Sequence, residues 1–341
     1  MPRGTLVEQI DRGYEFAHKT HGFDEKHDST KLIEVFFQDS HEGKVMFVIF
    51  YTQACRWERC LGCNLPSTAA RKHIDFRSIM RQVDNLFRLA EVIKREKEIR
   101  KIIVSNQGSI LDEDTFSTTA LLYLVAKCNM HLPNLDVFCL ETRAEYVDDE
   151  ELEILARALK EGDTPTVLEV AIGFEAFDDE LRNKVFHKGL PLRVFEELIE
   201  RLARHKFHAK CYFMFKPVPN MTNDEAIADI KAALDYLSKL EDRVPDAEIS
   251  MHLNPTYAAR GTDLEIALLD GTFIPPLLRH VVQAVKHAEG SGIPVFVGLD
   301  DEGLAAENGS FIRNGNEEDE RLVRLLNQFN ATQDFRLLDS E

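Results

Sequence analysis

From Lys44 to Leu253 the chain alternates short apolar runs of strand length with stretches of helical periodicity, and this alternation constrains its fold more than any other feature. The apolar runs span residues 44–51, 101–105, 135–140, 167–172, 208–215 and 247–253. The first, Lys44-Val-Met-Phe-Val-Ile-Phe-Tyr51, is apolar without interruption, the signature of a strand buried on both faces. Candidate helices lie near residues 76–98, 114–127, 148–160, 191–204 and 224–240. Asp75 is placed to cap the first of them, whose apolar face is Ile79, Val83, Phe87, Leu89, Ala90 and Ile93. Helical connections between successive strands imply a parallel sheet with right-handed crossovers. Six strand-then-helix units predict an α/β protein, built either as an open doubly wound sheet or as a partial barrel.

The flanks are less regular. Residues 1–43 are polar apart from a possible helix near residues 4–18 and the run Leu32-Ile-Glu-Val-Phe-Phe37, so they read as an N-terminal extension. Residues 44–262 form the main body, and 263–341 a C-terminal α/β segment packing on it. That segment offers a helix near residues 275–288, a strand near 294–299, a loop over 300–315 and a helix near 318–329. Asp300-Asp-Glu302 reads as a solvated acidic loop.

In parallel α/β folds the residues just past the C-terminal ends of the strands line the site. At the first such end stands Cys55-Arg-Trp-Glu-Arg-Cys60-Leu-Gly-Cys63, which gathers three of the chain's six cysteines. Three thiolates on one loop are soft ligands suited to an iron-sulfur cluster or a zinc ion. Asn106, Gln107, Glu141, Arg143, Glu175, Lys216 and Asn254 lie past other strand ends and should face that loop. The spacing C-x4-C-x2-C also matches the start of a plant-type 2Fe-2S site, which needs a fourth cysteine; the next, Cys128, is 65 residues on. Structural zinc takes two ligand pairs, and the nearest further candidate is His73. Both remain as an alternative reading, a structural or electron-transfer metal protein without catalysis at the metal. A 4Fe-4S cluster held by three cysteines differs in leaving one iron open to a substrate or cofactor. Cys128, Cys139 and Cys211 read as core residues.

The net charge of −18 opposes unaided binding to nucleic acid, because such affinity comes from Lys and Arg at phosphates. The charge is uneven: Arg56 to Arg100 holds 11 basic residues against 6 acidic, and Asp300 to Glu341 holds 4 against 11. No apolar run of signal-peptide or membrane-span length occurs, so the expectation is a cytoplasmic protein without a membrane partner.

The cysteine triplet after the first strand of a parallel α/β body resembles the radical S-adenosylmethionine superfamily. Asn106-Gln-Gly-Ser-Ile-Leu-Asp112, Glu141-Thr-Arg-Ala-Glu-Tyr146, Gly173-Phe-Glu-Ala-Phe-Asp-Asp-Glu-Leu-Arg182 with His187-Lys-Gly189, Lys216-Pro217, Leu253-Asn-Pro255 with Arg260-Gly-Thr262, and Phe329-Asn-Ala-Thr-Gln-Asp334 extend the likeness from about residue 45 to 335. In that order they are similar to the branch holding the radical subunit of archaeosine synthase and the radical domain of the Elongator acetyltransferase. The resemblance implies a partial (β/α)6 parallel barrel, a 4Fe-4S cluster on Cys55, Cys60 and Cys63, and S-adenosylmethionine chelating the open iron. It implies reductive cleavage of that cofactor to a 5′-deoxyadenosyl radical, in modified-nucleoside, tRNA or small-metabolite biosynthesis. Asn106, Gln107 and Ser109 would meet its amino group, Glu141 and Arg143 its amino or carboxylate end, Glu175 its ribose or the substrate, and Lys216 an anionic substrate group. An electron donor such as flavodoxin or ferredoxin is implied, and any RNA would require a partner protein. The usual loop is C-x3-C-x2-C with an aromatic before the last cysteine; here one residue is added, Gly62 holds the aromatic's position, and Trp57 is the candidate cover for the cluster.

Overall fold

The computed structural model describes residues 19–313 and 315–340; the helix expected near residues 4–18 lies outside them. Eight strands form one sheet in sequence order: β1 (Glu34–Ser40), β2 (Gly43–Ile49), β3 (Ile99–Ser105), β4 (Val137–Thr142), β5 (Val167–Glu175), β6 (His208–Phe215), β7 (Glu248–Pro255) and β8 (Val295–Val297). β1 pairs antiparallel with β2, and every later pair is parallel. The six expected strands are therefore the barrel staves β2 to β7, with β1 and β8 added at the two edges. This is the partial parallel barrel, and it takes its two edge strands from the segments on either side of the main body.

The connections are helical: α1 (Phe76–Leu86), α2 (Ala90–Arg95), α3 (Thr118–His131), α4 (Asp149–Leu159), α5 (Leu192–Arg204) and α6 (Asn223–Arg243). α7 (Asp263–Leu269), α8 (Leu278–Val285) and α9 (Glu317–Thr332) follow. Asp75 caps α1 by accepting from the Arg77 and Ser78 N–H groups, as expected. The single helix expected over residues 76–98 is two: the chain leaves helical geometry at Leu89, and α2 is rotated so that Val92 is buried while Leu89 and Ile93 face solvent. The helices lay apolar faces on the outside of the sheet in one large core that includes Cys128 and Cys211. Inside the barrel a small layer of Val45, Ile103, Cys139 and Ala171 meets Phe47 and Tyr212.

Below that layer the lumen is plugged by charge. Lys101 of β3, 1% exposed, places Nζ 2.7 Å from the carboxylates of Glu169 of β5 and of Glu42 in the β1–β2 turn. Burial opposes the Glu169 charge, but Lys210 and Lys101 outweigh it and hold the carboxyl at about 2. The open edge of β8 is covered by α9. Asn330 exchanges two hydrogen bonds with the backbone of Val297 (2.8 and 2.9 Å), and Gln333 does the same with Val295 (2.9 and 2.8 Å). The Asn330 carbonyl accepts from the His41 N–H at 2.9 Å. One helix end thus pairs with the last strand and fastens to the first turn, bridging the barrel's gap with side-chain amides where a further strand would otherwise bond.

Candidate cluster and cofactor site

The cysteine loop leaves β2 at the barrel's C-terminal mouth and is fastened at three places. Arg56 makes a two-point contact with Asp112 (Nε at 2.7 Å, Nη2 at 2.8 Å) and a further one with Asp114 at 2.8 Å, tying the loop to the turn after β3. Trp57 donates from Nε1 to the His187 carbonyl at 2.7 Å, and its ring lies between the guanidinium groups of Arg59 (4.9 Å) and Arg143 (4.4 Å). The Leu61 N–H donates to the Phe186 carbonyl at 2.9 Å. Trp57, the expected cluster cover, is thus wedged between the loop and the residues following β5.

Gly62 explains the missing aromatic. A Cβ there would run into Leu264 Cδ1 of α7, so the helix after β7 already fills the space that a side chain before the last cysteine would take. Gly108 serves a second close approach: its Cβ would stand 3.2 Å from the Cys55 nitrogen and Cα, so a side chain there would press the turn after β3 a few tenths of an ångström away from the cysteine loop.

All three cysteines are free and half-buried. Burial pushes the Cys60 thiol up and the Cys63 thiol up to about 12, with Lys188 and Arg143 pulling Cys60 the other way and Lys19 pulling Cys63. Burial works against the Arg143 charge, yet Glu145, Cys55 and Cys60 hold it above its ordinary value. Lys188 is likewise raised, by Glu175 at 2.7 Å and by Cys60. The thiols are therefore ringed by fixed cations, which is what three thiolates require when they lose their protons to iron. Among the described residues no three Cys, His, Asp or Glu side chains close on one point as a lone ion demands. Three thiols on one loop, a ring of cations and an adjoining polar turn suit a cluster whose ligated irons are separate atoms.

The expected cofactor residues separate into groups. Asn106, Gln107 and Ser109 form the turn that touches Cys55 through Gly108. Asn106 Nδ2 donates to Thr115 Oγ1 at 3.3 Å, and its Oδ1 is buried without a hydrogen-bond partner, an acceptor available to an amino group. Gln107 is buried and left-handed at φ 59°. Ser109 Oγ accepts from the Arg143 N–H at 3.2 Å, so it also positions Arg143. Glu141 points into the lumen, accepts from the Tyr212 hydroxyl at 2.6 Å, and is pushed up by burial against the pull of Ser105 and Tyr212. Glu175, at φ 74°, is engaged by Lys188. Lys216, at φ 67°, is buried with no acidic partner among the described residues; burial lowers it, and its charge is felt at His280 of α8. Asn254 lies beside His252 and Gly298 in the lumen.

The loop expected to be solvated overhangs the mouth. It is solvated as expected, with Asp300 and Glu302 exposed; partial burial and the carboxylates of Glu141, Asp300, Glu34 and Asp301 push the Glu302 carboxyl up. Tyr257 is raised by burial and by Glu302 and Cys63. Arg56, Lys188, Tyr257 and Leu264 escaped sequence reading because each acts across a large separation in the chain. Only Arg56 and Lys188, each quoted within a motif, carried any signal.

Residues 49–256 match the Radical SAM superfamily. An uncharacterized protein of Methanocaldococcus jannaschii is 24% identical over 324 residues, 92% of this chain and 85% of that one. Archaeosine synthase subunit beta of Methanosarcina acetivorans is 25% identical over 253 residues, 73% of this chain and 68% of that one. Among solved structures, queuine lyase from Clostridium spiroforme, bound to S-adenosylmethionine and queuine, superposes with a TM-score of 0.50 at 16% identity, covering 81% of this chain and 100% of that one. That likeness concerns the fold. The superfamily's members are enzymes whose cofactors are a 4Fe-4S cluster and S-adenosylmethionine, and among the described residues no helix is long and apolar enough to cross a membrane. With well over half of its length inside the match, and with the cysteine loop standing at the mouth of a partial barrel, the chain belongs to the radical S-adenosylmethionine superfamily.

Proposed function

We propose that the protein is a radical enzyme that cleaves S-adenosylmethionine reductively and directs the resulting 5′-deoxyadenosyl radical at a nucleobase-derived or other small polar substrate, free or within tRNA. The observation that carries this reading is the half-buried triplet of Cys55, Cys60 and Cys63, held at the C-terminal end of β2 and faced by Arg143 and Lys188. In this reading the three thiolates hold three irons of a 4Fe-4S cluster, leaving the fourth open to the cofactor's amino and carboxylate groups.

The chain's own residues then divide the work. Asn106 Oδ1 accepts from the amino group, with Gln107 and Ser109 shaping the turn around it. Arg143 pairs with the carboxylate, and Glu141 and Glu175 accept from hydroxyl or amino groups deeper in the mouth. Lys216 is kept for an anionic group of the substrate, since burial without a counter-ion is costly unless a ligand supplies one. The similarity to archaeosine synthase subunit beta favours a modified nucleoside over other metabolites. The net charge of −18 favours RNA contact through a partner protein, and reduction of the cluster calls for a one-electron donor such as a flavodoxin or ferredoxin.

The test is anaerobic reconstitution of the full chain with iron and sulfide, reduction, addition of S-adenosylmethionine, and quantification of 5′-deoxyadenosine. Wild type should form it and Cys60→Ala should not. An iron-loaded wild type that forms none, with or without candidate nucleosides, would end this reading.

A further inference from the structure

The segment entering the described structure at Lys19 is tied across the barrel mouth. The Thr20 N–H donates to the Gly261 carbonyl at 3.0 Å, and the Asp24 N–H to the Ala69 carbonyl at 3.1 Å. Tyr51, at the end of the first stave, donates its hydroxyl to the Asp24 carbonyl. The residue after Cys63 reaches the same place: Asn64 Nδ2 donates to the Arg260 carbonyl at 3.1 Å. Residues 19–21, 260–261 and 63–64 are therefore side by side, and Lys19 is the first described residue of the strap.

Its Nζ is buried and has no hydrogen-bond partner among the described residues. An ammonium with three donors taken out of water is costly unless an anion meets it. The strap lies against the residue that follows Cys63, through the adjoining carbonyls of Gly261 and Arg260, and the Lys19 charge favours the Cys63 thiolate. Arg143 is engaged by Glu145, and Lys188 by Glu175. Lys19 differs in having no such counter-charge among the described residues.

We propose that Lys19 is a positioning cation for the anionic group held at Cys60 and Cys63, delivered there by the strap over Gly261. This rests on the reading of the cysteine loop as a cluster site. The anion is either the thiolate-ligated cluster itself or the carboxylate end of the methionine cofactor. A fixed positive charge beside a cluster favours its reduced, more negative state, and beside a carboxylate it favours binding.

The experiment uses the full reconstituted chain as wild type, Lys19→Met and Lys19→Arg. It reads iron per chain, the melting temperature, the cluster's midpoint potential without cofactor, and the dissociation constant for S-adenosylmethionine. Lys19→Met should keep wild-type iron and melting, and then show one of two changes. A lower midpoint potential identifies the cluster as the anion; unchanged potential with binding weakened about tenfold identifies the carboxylate. Lys19→Arg should stay close to wild type in both. An iron-loaded Lys19→Met that matches wild type in potential and in affinity overturns the inference and leaves the cluster reading standing. A wild type that takes up no iron overturns the cluster reading, and this inference with it. Should Lys19→Met melt early, Lys19→Gln is measured in its place.

Discussion

Gly62 shows how much a single position decides at this site. Its missing side chain is matched by Leu264, so the loop and α7 are fitted to one another. Gly62→Phe should lower the melting temperature, with a cost of about 1–3 kcal/mol for overpacking, and should reduce iron uptake. Adding Leu264→Ala should recover part of both; a Gly62→Phe protein that melts and loads like wild type would show that the fit is not tight. Glu302 carries a pH signature. Its folded-state value near 7 lies above its ordinary 4.5, so its contribution to stability is fully present below about 4.5 and is lost as pH rises through 7. Glu302→Gln should therefore melt slightly above wild type at pH 8 and level with it at pH 4, and equal melting at both would contradict the crowding of carboxylates around Glu302. At this scale the sequence was legible wherever residue chemistry is rare. Three clustered cysteines announce soft-metal chemistry without any fold. Arg56 with Asp112 did not announce itself, because an arginine and an aspartate 56 residues apart are common, and only the turn after β3 brings them together.

Among the elements, α9 does the least expected thing. Periodicity is enough to foresee a helix near residues 318–329, because an apolar face recurs at helical spacing. Its pairing with β8 was not foreseeable, since it depends on two amide side chains meeting the backbone of a three-residue strand. The quoted run Phe329-Asn-Ala-Thr-Gln-Asp334 now has a structural reason, in that Asn330 and Gln333 replace a missing neighbour strand. Asn330→Ala would strand the Val297 N–H and carbonyl in the core. A loss of about 1–3 kcal/mol in denaturant unfolding is expected, and no loss would mean that water or a shift of α9 replaces the bonds. The break between α1 and α2 was illegible for a different reason: the apolar pattern runs on through Leu89 and Ile93, and the chain's rotation there leaves both exposed.

Over the whole molecule, a parallel barrel divides its ends: chemistry collects at the C-terminal mouth and the opposite end is closed for stability. The Lys101, Glu169 and Glu42 plug does the closing, and Lys101→Met should destabilise, by up to about 3–5 kcal/mol, because it removes one of the two cations that hold the buried Glu169 charge and leaves Lys210 alone. The pH dependence has a definite sign. Glu169 is held at about 2, below its ordinary 4.5, so its contribution is present above about 4.5 and is lost as pH falls toward 2. Urea unfolding of wild type and Lys101→Met across that range should converge at the acid end; a constant gap would assign the loss to packing instead. The six staves were legible because buried parallel strands are continuous apolar runs, and the strand near 294–299 and the helix near 318–329 were legible as elements, whereas their closing of the barrel depends on contacts between the two ends of the chain. The central claim is that the mouth holds a four-iron cluster with one iron open to S-adenosylmethionine. The most direct measurement is the electron paramagnetic resonance spectrum of the reduced, reconstituted protein before and after that cofactor is added. A spectrum with about four irons per chain that shifts on addition, and is lost in Cys63→Ala, is the expected result. A spectrum unmoved by the cofactor, or a chain that binds one zinc and no iron, would contradict the account.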